Sequence, residues 1–214
     1  MIISKQKTFD EILLVINNRS VFVMGCSECA TLCHSGGEAE VRNLCKQLED
    51  HNIMVTGWIV LDPACHLLND KRLLKSYKRI IDQTDIILVL SCGNGVQTVA
   101  ELYPDKEVIT GTDSLFLGEI KRIDQFERRC NLCGTCIVDE FYGLCPVSRC
   151  PKHLLNGPCG GAKDGQCEVD EQIPCVWVEI IKKQKLLHQK EKFLYIVPPH
   201  DWSKSIEMNL GGKR

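Results

Sequence analysis

The stretch Asp85–Leu90 reads DIILVL and is continuously apolar after its first residue. A strand without polar alternation is typical of a parallel sheet that is covered on both faces. Two further β-rich stretches precede it, Ser20 to Met24 (SVFVM) and Ile53 to Leu61, and helical patterns separate the three. The order strand, helix, strand, helix, strand predicts an α/β fold with a small parallel sheet and right-handed crossovers.

Amphipathic helices are predicted before and between these strands. A capping box, Thr8-Phe-Asp-Glu11, opens the first helix, and apolar residues recur at helical spacing from about Glu38 to His51 and from Asp70 to Gln83. Cys45 falls on the apolar face of the second of these helices. We therefore expect Cys45 to be a core residue and not a ligand.

The character of the sequence changes at about Arg122, where periodic apolar stretches give way to short polar stretches with many Pro, Gly and Cys residues. We predict an α/β domain over residues 1–121, an irregular Cys-rich iron-sulfur module with a following helix over 122–190, and a tail over 191–214. The helix is expected from Val176 to about Gln189. Metal or cluster bonds are expected to supply the fold of the module, because it has almost no periodic apolar stretch.

Charge and hydropathy argue against nucleic-acid binding and against a membrane span. The 214 residues carry a formal net charge of −2 with a pI near 6.3, so no overall positive field is available for a phosphate backbone. No window reaches the roughly 18 consecutive apolar residues that a membrane span needs, and the N-terminal stretch lacks the features of a signal peptide. We therefore expect a cytoplasmic protein.

Fourteen of the 214 residues are cysteines, several times the ordinary usage, so any functional interpretation must first explain the thiols. A disulfide scaffold needs an oxidising compartment, and the lack of an export signal argues against one. Structural zinc and iron-sulfur clusters are both left open, because closely spaced Cys pairs bind either metal.

The first set of candidate ligands follows the predicted strands. Cys26 comes after the first strand, Cys65 a few residues past the second and Cys92 directly after the third, so these distant thiols are expected to meet at one sheet edge. Cys29 and Cys33 lie in the loop that follows Cys26. A [4Fe-4S] cluster needs four of these five thiols, which leaves one bystander. The alternatives are reduced buried thiols, or an anion-binding loop at the Gly-Gly pair that follows them.

The second set lies in the Cys-rich module and begins with Cys130-x-x-Cys133-x-x-Cys136. Three thiolates at this spacing let one loop bind three corners of a cubane cluster, as in bacterial ferredoxins. The fourth ligand is left open, with Cys145 and Cys150 each preceding a proline. The remaining thiols of the module are Cys159, Cys167 and Cys175. Eight thiols suit two [4Fe-4S] clusters or two zinc sites, and the triple spacing favours iron.

The module also resembles a known family. The C-terminal domain of the methylenetetrahydrofolate reductase family is similar in four motifs, which here read Cys130-x-x-Cys133-Gly-x-Cys136, Cys145-Pro-Val-x-Arg-Cys150-Pro-Lys, Leu155-Asn-Gly-Pro-Cys159-Gly-Gly and Cys167-Glu-Val-Asp. The small zinc or iron-sulfur subunit of two-subunit reductases in acetogenic bacteria is similar to the front half, in Gly25-Cys26-x-x-Cys29-x-x-x-Cys33 and Ser91-Cys92-Gly-x-Gly-Val-Gln-Thr98.

This resemblance implies a division of labour between two subunits. In such complexes the folate and the flavin belong to a separate barrel-shaped catalytic subunit, and the small subunit feeds electrons to that flavin. The expected cofactors are one to three [4Fe-4S] clusters, with zinc possible in place of one, and the expected upstream donor is ferredoxin or a larger redox complex. The chain is then a non-catalytic subunit of an oxidoreductase. A zinc-stabilised scaffold and a ferredoxin-like subunit of another flavoenzyme are the alternatives.

Overall fold

The computed structural model describes residues 1–188 and 195–206. The chain divides into two compact units: the first comprises Met1–Phe116 and Arg122–Asp124, and the second comprises Leu117–Lys121 and Gln125–Arg214. The fold is mixed α/β, with a four-stranded parallel sheet and a three-stranded antiparallel sheet. The predicted parallel α/β fold is therefore confirmed.

The second to fifth strands of the described chain form the parallel sheet, and the first strand and the last two form the antiparallel sheet. In chain order the strands are β1 (Ile2–Gln6), β2 (Val21–Cys26), β3 (Val55–Leu61), β4 (Ile86–Leu90), β5 (Glu107–Thr110), β6 (Thr112–Arg122) and β7 (Gln125–Cys130). The parallel sheet has the order β3-β2-β4-β5, and the antiparallel sheet has the order β1-β6-β7. β2 and β4 are buried along their whole length, which explains why DIILVL shows no polar alternation.

Three of the four predicted helices are present in the described residues, the fourth is interrupted, and three further helices were not predicted. In chain order the helices are α1 (Phe9–Ile16), α2 (Cys29–Leu32), α3 (Glu38–Asp50), α4 (Leu67–Leu73), α5 (Lys78–Asp82), α6 (Gly93–Leu102), α7 (Pro146–Arg149) and α8 (Val176–Leu186). The single helix predicted from Asp70 to Gln83 is wrong, because a 3-10 turn, Leu74–Tyr77, separates α4 from α5. Side chains three residues apart align in a 3-10 turn, so Leu74 and Tyr77 both reach the core. No helix in the described ranges is long and apolar enough to cross a membrane.

The parallel sheet separates two layers of apolar packing. Alternate residues of β2 point to opposite layers, with Val21 and Val23 on one side and Phe22 and Met24 on the other. α1 and α3 cover the first layer, and the helices from α4 to α6 cover the second. Cys45 is 6% exposed in the first layer, which confirms that it is a core residue.

A close backbone contact fixes the loop between α2 and α3. The Cys26 N–H donates to the Gly36 carbonyl at 2.8 Å, and a Cβ on Gly36 would lie 2.0 Å from the Leu90 carbonyl oxygen. The neighbouring Gly37 N–H donates to the Glu40 carboxylate at 2.9 Å. This Gly-Gly pair therefore serves close packing and helix capping, and a carboxylate of the protein already occupies the position that the anion-loop alternative assigns to a ligand.

The second unit has a small apolar core of its own. Its fully or nearly buried members are Ile137, Phe141, Tyr142, Val147, Cys150, Val176, Trp177 and Ile180. Trp177 is 2% exposed, meets Phe141 edge-on with ring centroids 5.7 Å apart, and donates its indole N–H to the Leu154 carbonyl at 3.1 Å. The sequence predicted that metal or cluster bonds supply the fold of this region. Apolar residues scattered between its turns also converge on α8 and contribute to that fold.

Candidate metal centres

The carboxyl edge of the parallel sheet collects thiols that are far apart in the sequence. Cys26 is the last residue of β2 and pairs in register with Leu61 of β3. Cys65 follows Leu61 by four residues, and Cys92 is the N-cap of α6, two residues beyond β4. Cys29 is the first residue of α2. Because β2, β3 and β4 end side by side, these four residues lie at one edge of the sheet.

The pKa of the Cys65 thiol reflects the other thiols near it. The pKa of this thiol is raised, first by desolvation and then by the charges of Cys92, Cys26 and Cys29. Charges of like sign raise a pKa only when they lie close to the titrating group. We call Cys26, Cys29, Cys65 and Cys92 group I.

Cys33, the fifth predicted ligand of this region, has a different neighbour. Its Sγ lies 3.8 Å from the carbonyl oxygen of Ile2 in β1, to which the thiol donates. Cys33 ends α2, one helical turn after Cys29, and so belongs to the opposite end of that short helix. Among the five candidates, Cys33 is therefore the one whose thiol contacts a backbone carbonyl and whose charge is not among those that act on Cys65.

A second group of thiols surrounds the loop after β7. The pKa of Cys133 is raised, chiefly by desolvation, with Cys145, Cys130 and Cys136 adding to the effect. We call Cys130, Cys133, Cys136 and Cys145 group II. The thiol that lies near the Cys130–Cys136 triple in this group is Cys145, the N-cap of α7. A tail residue also reaches this loop, since a ring nitrogen of His200 lies 3.2 Å from the Cys133 carbonyl oxygen.

A third group of thiols lines one small cavity in the second unit. The cavity has a volume of about 20 Å³, and its wall contains Cys150, Cys159, Cys167 and Cys175, which we call group III. Cys150 is the C-cap of α7 and Cys175 is the N-cap of α8. Only one turn of helix separates Cys145 from Cys150, yet the two thiols belong to different groups.

Backbone N–H groups point at two of these sulfurs. The Leu132 N–H donates to Cys130 Sγ at 3.3 Å, and the Gly161 N–H donates to Cys159 Sγ at 3.5 Å. Leu132 has a left-handed backbone, with φ of 53°, which turns its N–H back toward the preceding cysteine. Hydrogen bonds to sulfur stabilise thiolates and tune the potential of a metal centre that the thiolates bind.

Charged side chains flank group III. Lys152 and Glu168 form an ion pair beside the cavity. The pKa of Glu168 is lowered, first by a hydrogen bond from Cys159 and then by Lys152. The pKa of Lys152 is raised, first by Glu168, with Cys159 and Cys167 adding smaller effects. A lysine placed here offsets part of the negative charge that four thiolates would carry.

The three groups are neighbouring thiols and not assembled coordination spheres. Within residues 1–188 and 195–206, no three or more His, Cys, Asp or Glu side chains are arranged so that they could hold a metal ion. Sequence reasoning found all twelve members of the groups. It missed how the eight thiols of the module divide, because Cys145 and Cys150 both carry the same Cys-Pro signal.

Comparison with known proteins finds one family. The family model described as methylene-tetrahydrofolate reductase C terminal matches residues 109–203, a segment that contains groups II and III and leaves group I outside. No curated protein and no solved structure matches the chain.

Proposed function

Because residues 109–203 match the family model described as methylene-tetrahydrofolate reductase C terminal, we propose that this chain is the iron-sulfur electron-transfer subunit of a methylenetetrahydrofolate reductase. Its partner is a flavin-containing catalytic subunit, which reduces methylenetetrahydrofolate to methyltetrahydrofolate. The chain collects electrons from a donor and delivers them to that flavin.

The observation that carries this proposal is the division of the cysteines. Twelve of the fourteen cysteines fall into three groups of four, and a cubane cluster takes four thiolates. The two left over, Cys33 and Cys45, have contacts elsewhere. Each thiolate of a cubane binds a different iron, so the four need not meet as closely as four thiolates on one zinc ion.

The surroundings of the thiols support redox ligands over inert core cysteines. When bound, an iron-sulfur cluster supplies one-electron chemistry that side chains lack. Cys92 and Cys175 are the N-caps of α6 and α8, where the helix dipole stabilises negative charge. The N–H groups directed at Cys130 and Cys159 act in the same sense.

One observation favours a second candidate, zinc, at group III. The cavity between these four thiols is small, about 20 Å³, and a single zinc ion requires less separation of the surrounding loops than a cubane does. In that case group III is a structural site that holds the turns of the second unit together, and groups I and II carry the electrons. If all three groups hold zinc, the chain is a scaffold subunit.

Metal and sulfide analysis of protein purified without oxygen tests the proposal. We expect about twelve iron atoms and as much sulfide per chain if all three groups hold cubanes, or about eight of each with one zinc if group III differs. The reduced protein should also give the electron paramagnetic resonance signals of reduced clusters. Two or three zinc ions per chain without sulfide would contradict the electron-transfer role. The scaffold subunit would then be the remaining candidate function.

A further inference from the structure

A large open cavity in the second unit is strongly basic. It has a volume of about 1040 Å³, and its wall includes the cationic side chains Lys121, Arg128, Arg129, Arg149, Lys182 and Lys183. Only two carboxylates, Glu127 and Glu179, share this wall. The chain as a whole has a formal net charge of −2, so the excess of four positive charges here is a local feature and not an average property.

Ion pairs hold part of this positive surface in place. Arg149 pairs with Glu179 of α8 at 2.6 Å, and Arg129 pairs with Glu127 at 2.7 Å. Arg129 also pairs with Glu119 at 2.5 Å, and Lys121 pairs with Glu127. With Glu119 included, six cationic side chains face three carboxylates, so the surface keeps an excess of three positive charges. Lys182 and Lys183 are exposed on α8, so the basic rim is open to solvent.

The cavity also offers apolar surface. Phe126, Leu144, Ile173 and Leu186 contribute to its wall, and Ile173 and Leu186 are 38% and 77% exposed. Apolar surface with a charged rim is the composition of a protein-binding site. A phosphate group would use the cationic side chains only, and the apolar part of the wall would contribute nothing to its binding.

The wall of this cavity is shared with group III. Cys150 lines both the small thiol cavity and the basic cavity, as do its neighbours Arg149 and Pro151. A protein seated in the basic cavity would therefore lie directly against one wall of the group III thiols. The rate of electron transfer falls steeply with the distance between donor and acceptor. A donor protein therefore needs to bind close to the thiols that hold the acceptor.

We propose that the basic cavity is the docking surface for a small acidic electron-carrier protein, which delivers electrons at group III. That the partner delivers electrons rests on the proposed function. That the partner is acidic rests on the positive charge of the cavity. Opposite charges across a rim accelerate encounter and fix orientation, and they lose this effect as salt is added.

The test is a binding measurement on the full chain, purified without oxygen, with an acidic ferredoxin as the probe. Lys182→Glu with Lys183→Glu reverses two rim charges, and Lys71→Glu with Lys75→Glu makes the same net charge change on exposed residues of the first unit. At low salt we expect the association rate constant to fall at least about tenfold in the first variant and to change less than about twofold in the second. The difference between the wild-type chain and the first variant should shrink at high salt.

Iron content and circular dichroism check that both variants are folded and loaded. Equal losses in the two variants, no loss in either, or no ferredoxin binding by the wild-type chain would each overturn the proposal. Binding of NADH in place of ferredoxin, lost on reversal of the two rim charges, would reassign the cavity to a small anionic ligand and also overturn it. Zinc at group III beside iron at groups I and II would overturn delivery at group III even if ferredoxin binds. A chain that contains zinc without sulfide at all three groups refutes the proposed function instead, and the binding result can be read separately.

Discussion

Cys65 and Cys33 were both predicted as ligands, but their surroundings differ. Cys65 follows β3, whereas Cys33 ends α2. The thiol of Cys65 has three other thiols as electrostatic neighbours, whereas the thiol of Cys33 donates to a backbone carbonyl of β1. The difference depends on the short helix α2, which places Cys29 at its first residue and Cys33 at the opposite end.

Replacing these two cysteines separately should therefore have different effects. In protein purified without oxygen, Cys65→Ser should lose about four iron atoms per chain, because a cubane rarely survives the loss of a thiolate. Cys33→Ser should keep the wild-type iron content, and Cys45→Ser provides a second non-ligand control. Iron loss in Cys33→Ser with none in Cys65→Ser would show that the membership of group I is wrong.

Asp70 is a buried carboxylate without a partner. Its side chain on α4 is 0% exposed, and neither carboxylate oxygen accepts a hydrogen bond within the described part of the chain. Burial raises the pKa of Asp70 from 3.8 to about 6, although His66 lowers it in part. The folded state therefore holds a proton that the unfolded state releases between these two pH values, so the free energy of unfolding decreases as the pH rises through this range.

The pH dependence of stability should reveal this proton. Between pH 5 and pH 7.5 the contribution of Asp70 to the free energy of unfolding should fall by roughly 1 kcal/mol. Denaturant unfolding of the wild-type chain and of Asp70→Asn at both pH values measures it. The variant should lose less stability over this interval. If both proteins lose the same amount, Asp70 does not hold a raised pKa.

At the scale of secondary structure, two four-residue helices position three of the twelve candidate ligands, Cys29, Cys145 and Cys150. α7 has only four residues, and it carries Cys145 at one end and Cys150 at the other. At about 1.5 Å per residue, the helix separates these two residues by roughly 7 Å along its axis. This spacing brings groups II and III close to each other within the second unit, as transfer between two centres requires.

The assignment of Cys145 and Cys150 to different groups predicts additive losses. Cys145→Ser should remove about four iron atoms and leave group III loaded, and Cys150→Ser should empty group III and leave group II loaded. The double variant should lose both centres. Iron, sulfide and zinc analysis of the three proteins makes the measurement. Equal metal content in either single variant and the double variant would show that both cysteines serve one centre.

The two units of the molecule rely on different sources of stability. In the first unit, two apolar layers enclose a parallel sheet, and group I lies at the edge of that sheet. The second unit has one small apolar core around α8 and carries eight of the twelve grouped thiols.

At the level of the whole molecule, the chain should act only through a partner. We expect no turnover of methylenetetrahydrofolate by the chain alone, and ferredoxin-dependent reduction once a flavin-containing catalytic subunit is added. The assay compares the catalytic subunit with and without this chain, using reduced ferredoxin as the donor. A small reduced dye serves as the control, because it can reach the flavin directly. Full ferredoxin-dependent activity without this chain would contradict the proposed role.

The sequence by itself determined the features that depend on local pattern. A single continuous stretch of sequence is enough to recognise each of these features. Examples are the buried strand within Asp85–Leu90, the capping box at Thr8 and the core position of Cys45. The twelve grouped thiols were also visible, because cysteine is rare and its spacing is distinctive.

Only the tertiary structure decided what depends on distant parts of the chain meeting. The division of Cys145 and Cys150 between two groups follows from loops that return from residues 159–175, which no local spacing records. Cys33 is separated from group I by its contact with β1, a strand whose short sequence carries no clear pattern. The basic cavity joins β7, α7 and α8, because charges far apart in sequence become one surface only when those elements fold together.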